Sequence, residues 1–296
     1  MRAALCAGCV VFALTLCPAA RANSVGSSGP MPLGDGVPAG EGFLLVEQYG
    51  GQWFDAEKAP LRAEDDLMCW AATTANVLMW TGWGLVDGID DADEAFRYFQ
   101  DHWSNAGGIM SYGWDWWFDG TNDSQGLDDW AQVDVLGGGF FPGEPFMQHF
   151  QQDWEPANAM RRIDEYLRAG CGVGIGVYLG EASGHAITVW GVNYLPGDPV
   201  QYLGIWVTDS DDDKGRTDPP DRLRYYEVEF HGEWYLQDFY GRSGHSETGT
   251  YHIGGVQALA QRPGMPAPAV PEPLTVLTAL AGLTLLGRYA RRRVLA

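Results

Sequence analysis

The chain changes its hydrophobic period once, near residue 170, and that change limits its fold more than any other feature. Before it, apolar residues recur at helical spacing; after it, they form short blocks bounded by Gly, Pro and Asp. In the first half, Asp65 and Asp66 precede LMCWAATTANVLMW, in which Met68, Ala72, Ala75 and Met79 share one helical face. The acidic pair sits at the favourable end of the helix dipole, and Gly82 and Gly84 end the run. A second helix is expected from Asp90 in DDADEAFRYFQDHW, with Ala95, Phe96 and Phe99 on one side. A third is expected over 159–169, with Ile163, Tyr166 and Leu167 as its apolar face and Gly170 as its stop. The second half gives the strand runs CGVGIGVYL, HAITVWGVNY, QYLGIWVTD, RLRYYEVEF and YHIGGVQALA, separated by turns such as Pro196-Gly197-Asp198. Helices followed by meandering strands indicate an α+β chain, a helical first half and an antiparallel sheet in the second, and not a βαβ repeat. Between Ser104 and Pro156 neither period holds. Trp114, Trp116, Trp117, Trp130 and Trp154 stand there among Gly and Asp, and we read a long aromatic loop layer flanking a cleft, with ordinary core as the alternative for each Trp.

The two ends read as addresses and not as fold. Residues 1–22, MRAALCAGCVVFALTLCPAARA, have an early Arg, a short apolar run and a small-x-small site at Ala20-Arg21-Ala22, the pattern of a secretory signal peptide. Cleavage after Ala22 removes Cys6, Cys9 and Cys17, leaving Cys69 and Cys171, which either pair once or stand single for separate reasons. Residues 23–45 are a Gly-, Pro- and Ser-rich lead-in, 46–260 the folded domain, and 261–273 (QRPGMPAPAVPEP) an extended linker. Of the 18 Lys and Arg, two lie in the first 22 residues and four in the last nine, so the span between holds 12 bases against all 39 acids and is net 27 negative. So acidic a surface excludes nucleic acid as a partner and repels anionic membranes. The tail, residues 274–296, follows Pro271-Glu272-Pro273 with an apolar stretch of about 14 residues, short of the roughly 20 that span a bilayer, and closes on RYARRR. These three parts resemble the bacterial PEP-CTERM sorting signal. The resemblance implies export, transient membrane association through the tail, cleavage by exosortase-type sorting machinery, and a final place at the cell surface or in extracellular matrix.

Cys69 falls in the first turn of its helix, where backbone N–H groups and the dipole favour thiolate. A cysteine in an apolar helix is also ordinary core, so a functional reading needs partners. His185 opens a strand after Gly184, at a place where an imidazole can stand at a sheet edge. Asp209 ends the next strand, and a hairpin through Pro196-Gly197 would set it beside His185. His102 and His149 lie in irregular polar stretches, His231 and His245 in turns, and His252 at the start of the last strand. No two His are at metal-ligand spacing, and GxGxxG, GxxxxGK[ST] and HExxH are absent, so no cofactor or metal is expected. The acidic run DSDDDKGRTD from Asp209 has alternating oxygen ligands but lacks the Gly and the terminal Glu of an EF-hand loop, leaving incidental calcium binding as a minor option.

Three segments, WFDAEK with DDLMCWAAT, GHAITVWGVNY and IWVTDSD, resemble the secreted streptococcal IgG-degrading (Mac-type) cysteine endopeptidases. The likeness runs from about Gly51 to Ala260. It implies a papain-like cysteine peptidase fold, with Cys69 as nucleophile, His185 as general base and Asp209 as the acid orienting it. It also implies Lys58 as an oxyanion-stabilising lysine and Asp211 as a second acid, either positioning His185 or lying in a solvated turn. Lys58 is eleven residues before Cys69, one more than the family pattern, and the Trp- and Gly-rich middle matches poorly. Together with the sorting tail, this makes an exported or extracellular protein or peptide the expected substrate, and not antibody. An amidase or transglutaminase using the same triad, and a surface or matrix protein that has lost its chemistry, are the alternatives. The many Trp also suggest a glycan-stacking platform, against which burial is the commoner explanation.

Overall fold

The computed structural model describes residues 41–44, 53–58, 65–120, 137–180, 183–197, 199–211, 221–239 and 250–264. The signal peptide, most of the lead-in, the Pro-Glu-Pro motif and the sorting tail lie outside them. The helices are α1 (Cys69–Thr81), α2 (Ala92–His102), α3 (Met110–Asp119) and α4 (Ala159–Arg168). The strands are β1 (Glu41–Leu44), β2 (Phe150–Asp153), β3 (Gly172–Leu179), β4 (Ser183–Leu195), β5 (Gln201–Thr208), β6 (Arg224–Phe230), β7 (Trp234–Leu236) and β8 (Tyr251–Leu259).

α1 is the central helix, buried along almost its whole length. It ends because Gly82 adopts φ +78°, a left-handed conformation that costs glycine little, and its N–H caps the Met79 carbonyl. Ala71, Ala72 and Ala75 keep it slim, and glycines on β3 answer them. A Cβ at Gly172 would lie 2.8 Å from Val77 Cγ1, and one at Gly174 2.8 Å from Thr73 Cγ2, so the helix backs directly onto the strand. α2 starts on Asp91, whose side chain accepts the Glu94 N–H at 2.8 Å while Glu94 accepts from the Asp90 N–H at 2.7 Å, a reciprocal cap.

Within the span from Ser104 to Pro156, expected as a loop layer, the described residues include α3 and, further on, β2. Trp114, Trp116, Trp117 and Phe118 are fully buried within α3, and a helix covered on every side has no polar face to mark its period. Two of the indoles meet backbone, Trp117 Nε1 donating to the Trp83 carbonyl at 3.0 Å and Trp114 Nε1 to that of Thr74 at 3.3 Å. These rings pack with Trp70, Trp83, Phe96 and Phe99 into one core under α1 and α2. They are therefore core and not a glycan platform. Trp154 is 44% exposed, and Trp130 lies outside the described residues.

The strands do not form an open sheet. β4 pairs with β3, β3 with β8, β8 with β7, β7 with β6 and β6 with β5, all antiparallel, and β5 pairs back onto β4. The ring is a closed six-stranded β-barrel, with β1 and β2 appended to β4 and β8. Closure comes from β4, which is 13 residues long. Residues 183–189 face β3 and residues 188–195 face β5, with register breaks between Val189 and Gly191 and between Asn193 and Tyr194. Such irregularities bend a strand and increase its twist, so its two ends serve different neighbours and the sheet returns on itself. Met160, Ile163 and Leu167 of α4 cover a second core formed with the barrel residues Val173, Ile175, Val189 and Val256.

This architecture corrects the fold expected from the resemblance. Helices followed by a closed barrel are not the papain-like twisted open sheet with its groove, and the likeness to the Mac-type cysteine endopeptidases does not extend to the fold. The closed barrel conflicts with a papain-like thiol protease.

Candidate active site

Five side chains named from the sequence converge where the N-terminus of α1 meets the start of β4 and the end of β5. Cys69 is the first residue of α1, after Met68, which supplies no side-chain cap, so the positive end of the helix dipole falls on the thiol. His185, on β4, is buried, and its Nε2 lies 2.6 Å from Asp209 Oδ1, just past the end of β5. The Asp211 N–H donates to the same Oδ1 at 3.0 Å, fixing that carboxylate. The adjacency has a simple cause, since β4 and β5 run antiparallel with Thr188 opposite Thr208. With Nε2 committed to Asp209, Nδ1 is the nitrogen that meets the Cys69 thiol, with which His185 shares a hydrogen bond.

Lys58 is buried at 1% exposure, an environment an ammonium tolerates only with partners. Its Nζ lies 2.8 and 2.9 Å from the two Asp211 oxygens and donates to the Asp66 carbonyl at 2.8 Å. Asp211 Oδ2 is in turn 3.7 Å from His185 Nδ1. Lys58 therefore faces an acid of the site directly, and Asp211 is buried rather than part of a solvated turn.

The electrostatics separate the two cysteines, both of which are free thiols. Burial pushes the Cys69 thiol up. The charge and hydrogen bond of His185, the charge of Lys58 and the Ala186 N–H outweigh it and hold the thiol below its ordinary value. Burial pulls the His185 imidazole down, but Asp209 and Cys69 raise it to about 10. The two shifts describe one coupled pair, which favours thiolate beside imidazolium. Cys171 has no such neighbour, and burial pushes it to about 11. Alkylation by iodoacetamide, mapped by mass spectrometry, is therefore expected at Cys69 well before Cys171. Its rate should already be high below the ordinary thiol range and stay high as pH rises, because the thiolate persists after the imidazolium is lost. Equal labelling of both cysteines would contradict the arrangement.

Other histidines lie apart. His102 Nδ1 bonds the Tyr98 carbonyl, His149 packs at a tilt against Trp83, His231 pairs with Glu229 at 3.1 Å, and His252 packs between Tyr178 and Tyr235. His245 lies outside the described residues, as does most of the acidic run after Asp211. Among the described residues there is no cluster of three or more His, Cys, Asp or Glu placed to hold a metal. Two features were not read from the sequence. Tyr178 stands close enough for the charge of Cys69, after burial, to raise its phenol. Asn76 of α1 bonds both Thr188 and Thr208, partners that no local feature of the helix points to.

The sequence matches no protein-family model and no curated protein. What the site offers is a depressed thiol, an imidazole held by a carboxylate, and a buried ammonium–carboxylate pair beside them.

Proposed function

We propose that the chain is a thiol-dependent hydrolase that cuts peptide bonds of an exported or extracellular protein through an acyl-enzyme intermediate. The observation that carries this reading is the 2.6 Å bond from His185 to Asp209 on the far side of the imidazole from a thiol that His185 itself depresses. In this reading Asp209 keeps the proton on Nε2, and Nδ1 accepts the thiol proton. The Cys69 thiolate attacks the carbonyl carbon, and the electron pair moves to the carbonyl oxygen, beside the positive end of α1. Collapse of the tetrahedral intermediate expels the amine, which takes its proton from Nδ1. Water, deprotonated by the same nitrogen, then releases the acid and regenerates the thiol. Lys58 acts through its charge, which lowers the thiol, and through its grip on Asp211.

The substrate class follows from the chemistry and from the expected export route, and the sorting machinery and surface location remain part of the proposal. The reduced full-length chain, incubated with a peptide library, is expected to release new amino termini. Cleavage that persists in Cys69→Ala, or its absence from the wild type across the library, would overturn the reading. An added primary amine that appears in the products would redirect it to acyl transfer. Fractionation of the producing cell is expected to find the mature chain outside the cytoplasm, and an uncleaved cytoplasmic chain would refute the export part.

A further inference from the structure

The reactive side chains come from separate segments, and one buried amide is hydrogen-bonded to each of the segments that surround α1 there. Asn76 lies seven residues after Cys69, two turns along the same side of α1. Its Oδ1 accepts the Ala56 N–H at 2.8 Å, two residues before Lys58. Its Nδ2 donates to Thr188 Oγ1 at 3.0 Å, three residues after His185, and to Thr208 Oγ1 at 3.5 Å, immediately before Asp209. Thr208 completes the junction, its hydroxyl donating to the Phe54 carbonyl at 2.9 Å and accepting Trp190 Nε1 at 2.9 Å. That hydroxyl uses its one proton and both lone pairs. Asn76, Thr188 and Thr208 are each no more than 2% exposed, so water does not compete for these bonds.

Packing alone does not call for this arrangement. Asparagine is a poor residue for the interior of a helix, and an apolar side chain would fill the space between α1 and the barrel without a polar group to satisfy. What the amide adds is direction, since its bonds hold only at one relative placement of α1, the 53–58 segment, β4 and β5. We propose that Asn76 is a positioning residue, which sets the register of the helix bearing Cys69 against the strands bearing His185 and Asp209 and so maintains the thiolate–imidazolium pair. The inference rests on the reading of Cys69 and His185 as that pair.

The test is the pH dependence of Cys69 alkylation in the reduced full-length protein, with cooperative thermal unfolding measured alongside. Asn76→Ala is expected to move the acid limb of the profile upward and to slow alkylation at pH 6 on the order of tenfold, because a thiol that loses its imidazolium reverts toward its ordinary titration. Turnover should fall with little change in KM. Thr188→Val removes one acceptor and keeps the side-chain shape; it should shift the profile in the same direction, and it decides the matter if Asn76→Ala does not fold. Gln257→Leu breaks a different buried polar junction, with Ser111 and Gln152, and should lower the unfolding temperature without moving the profile. Folded Asn76 and Thr188 variants with the wild-type profile, or an equal shift in Gln257→Leu, would overturn the positioning role while leaving the catalytic reading intact. A wild-type Cys69 that titrates as an ordinary thiol would instead remove the catalytic reading beneath it.

Discussion

Cys69→Ala is expected to abolish peptide-bond hydrolysis, with turnover falling on the order of 10⁶-fold, the scale seen when a covalent nucleophile is removed from a site otherwise intact. Among the described residues no other thiol can substitute, because Cys171 sits in the core near α4 with its proton held by burial. His185→Ala should cost nearly as much, since it removes the proton acceptor and the group that depresses the thiol in one step. Asp209→Ala should leave about a hundredfold more activity than either, because orienting an imidazole demands less than supplying one. Stopped-flow hydrolysis of a cleaved library peptide measures all three. Comparable residual rates in Cys69→Ala and Asp209→Ala would break the assignment of roles.

Lys58→Met should be the most damaging single change to stability around the site, about 3–5 kcal/mol, as expected when one partner of a buried ion pair is removed. The loss arises from what stays behind, the Asp211 carboxylate, buried and stripped of the ammonium that lies within 3 Å of both its oxygens. Lys58→Met with Asp211→Asn should regain much of that stability, because neither charge is then left alone. Urea denaturation of the two single variants and the double variant reads the coupling directly. The same series tests the oxyanion role expected of Lys58 at the outset. A lysine needed at the oxyanion leaves the double variant stable but as inactive as Lys58→Met, whereas a lysine needed as countercharge restores activity together with stability.

Local signals in the sequence are readable wherever an element has two unlike faces or a chemical stop. The end of α1 follows from Gly82, the start of α2 from Asp91 and Glu94, and the amphipathic face of α4 from Ile163, Tyr166 and Leu167. The strand runs containing His185 and preceding Asp209 are visible from their β-branched and aromatic residues bounded by turns. α3 escapes such reading because Trp114, Trp116, Trp117 and Phe118 leave it no exposed face. Closure of the barrel escapes for another reason. It depends on irregular register near Gly191 and Asn193, where a run of alternating residues gives no sign that one strand will serve different partners at its two ends. The short segments around Cys69, His185 and Asp209 led to the wrong fold because they span only the site, and a fold is determined by pairings they do not contain. Asn76 is legible only in hindsight, since the two threonines that answer it are 112 and 132 residues away.

Those separations also govern when reactivity arises. Lys58 reaches Asp211 across 153 residues, and α1 is joined to β4 and β5 by bonds that require the barrel strands to be in register. Contacts so distant in sequence are costly to close and form late. A chain whose C-terminal strands have not yet folded carries at position 69 an unremarkable thiol with a pKa near about 8.5. Latency is thus written into chain order: the molecule can be synthesised while chemically quiet, and its cysteine becomes aggressive only once the last strands are in place.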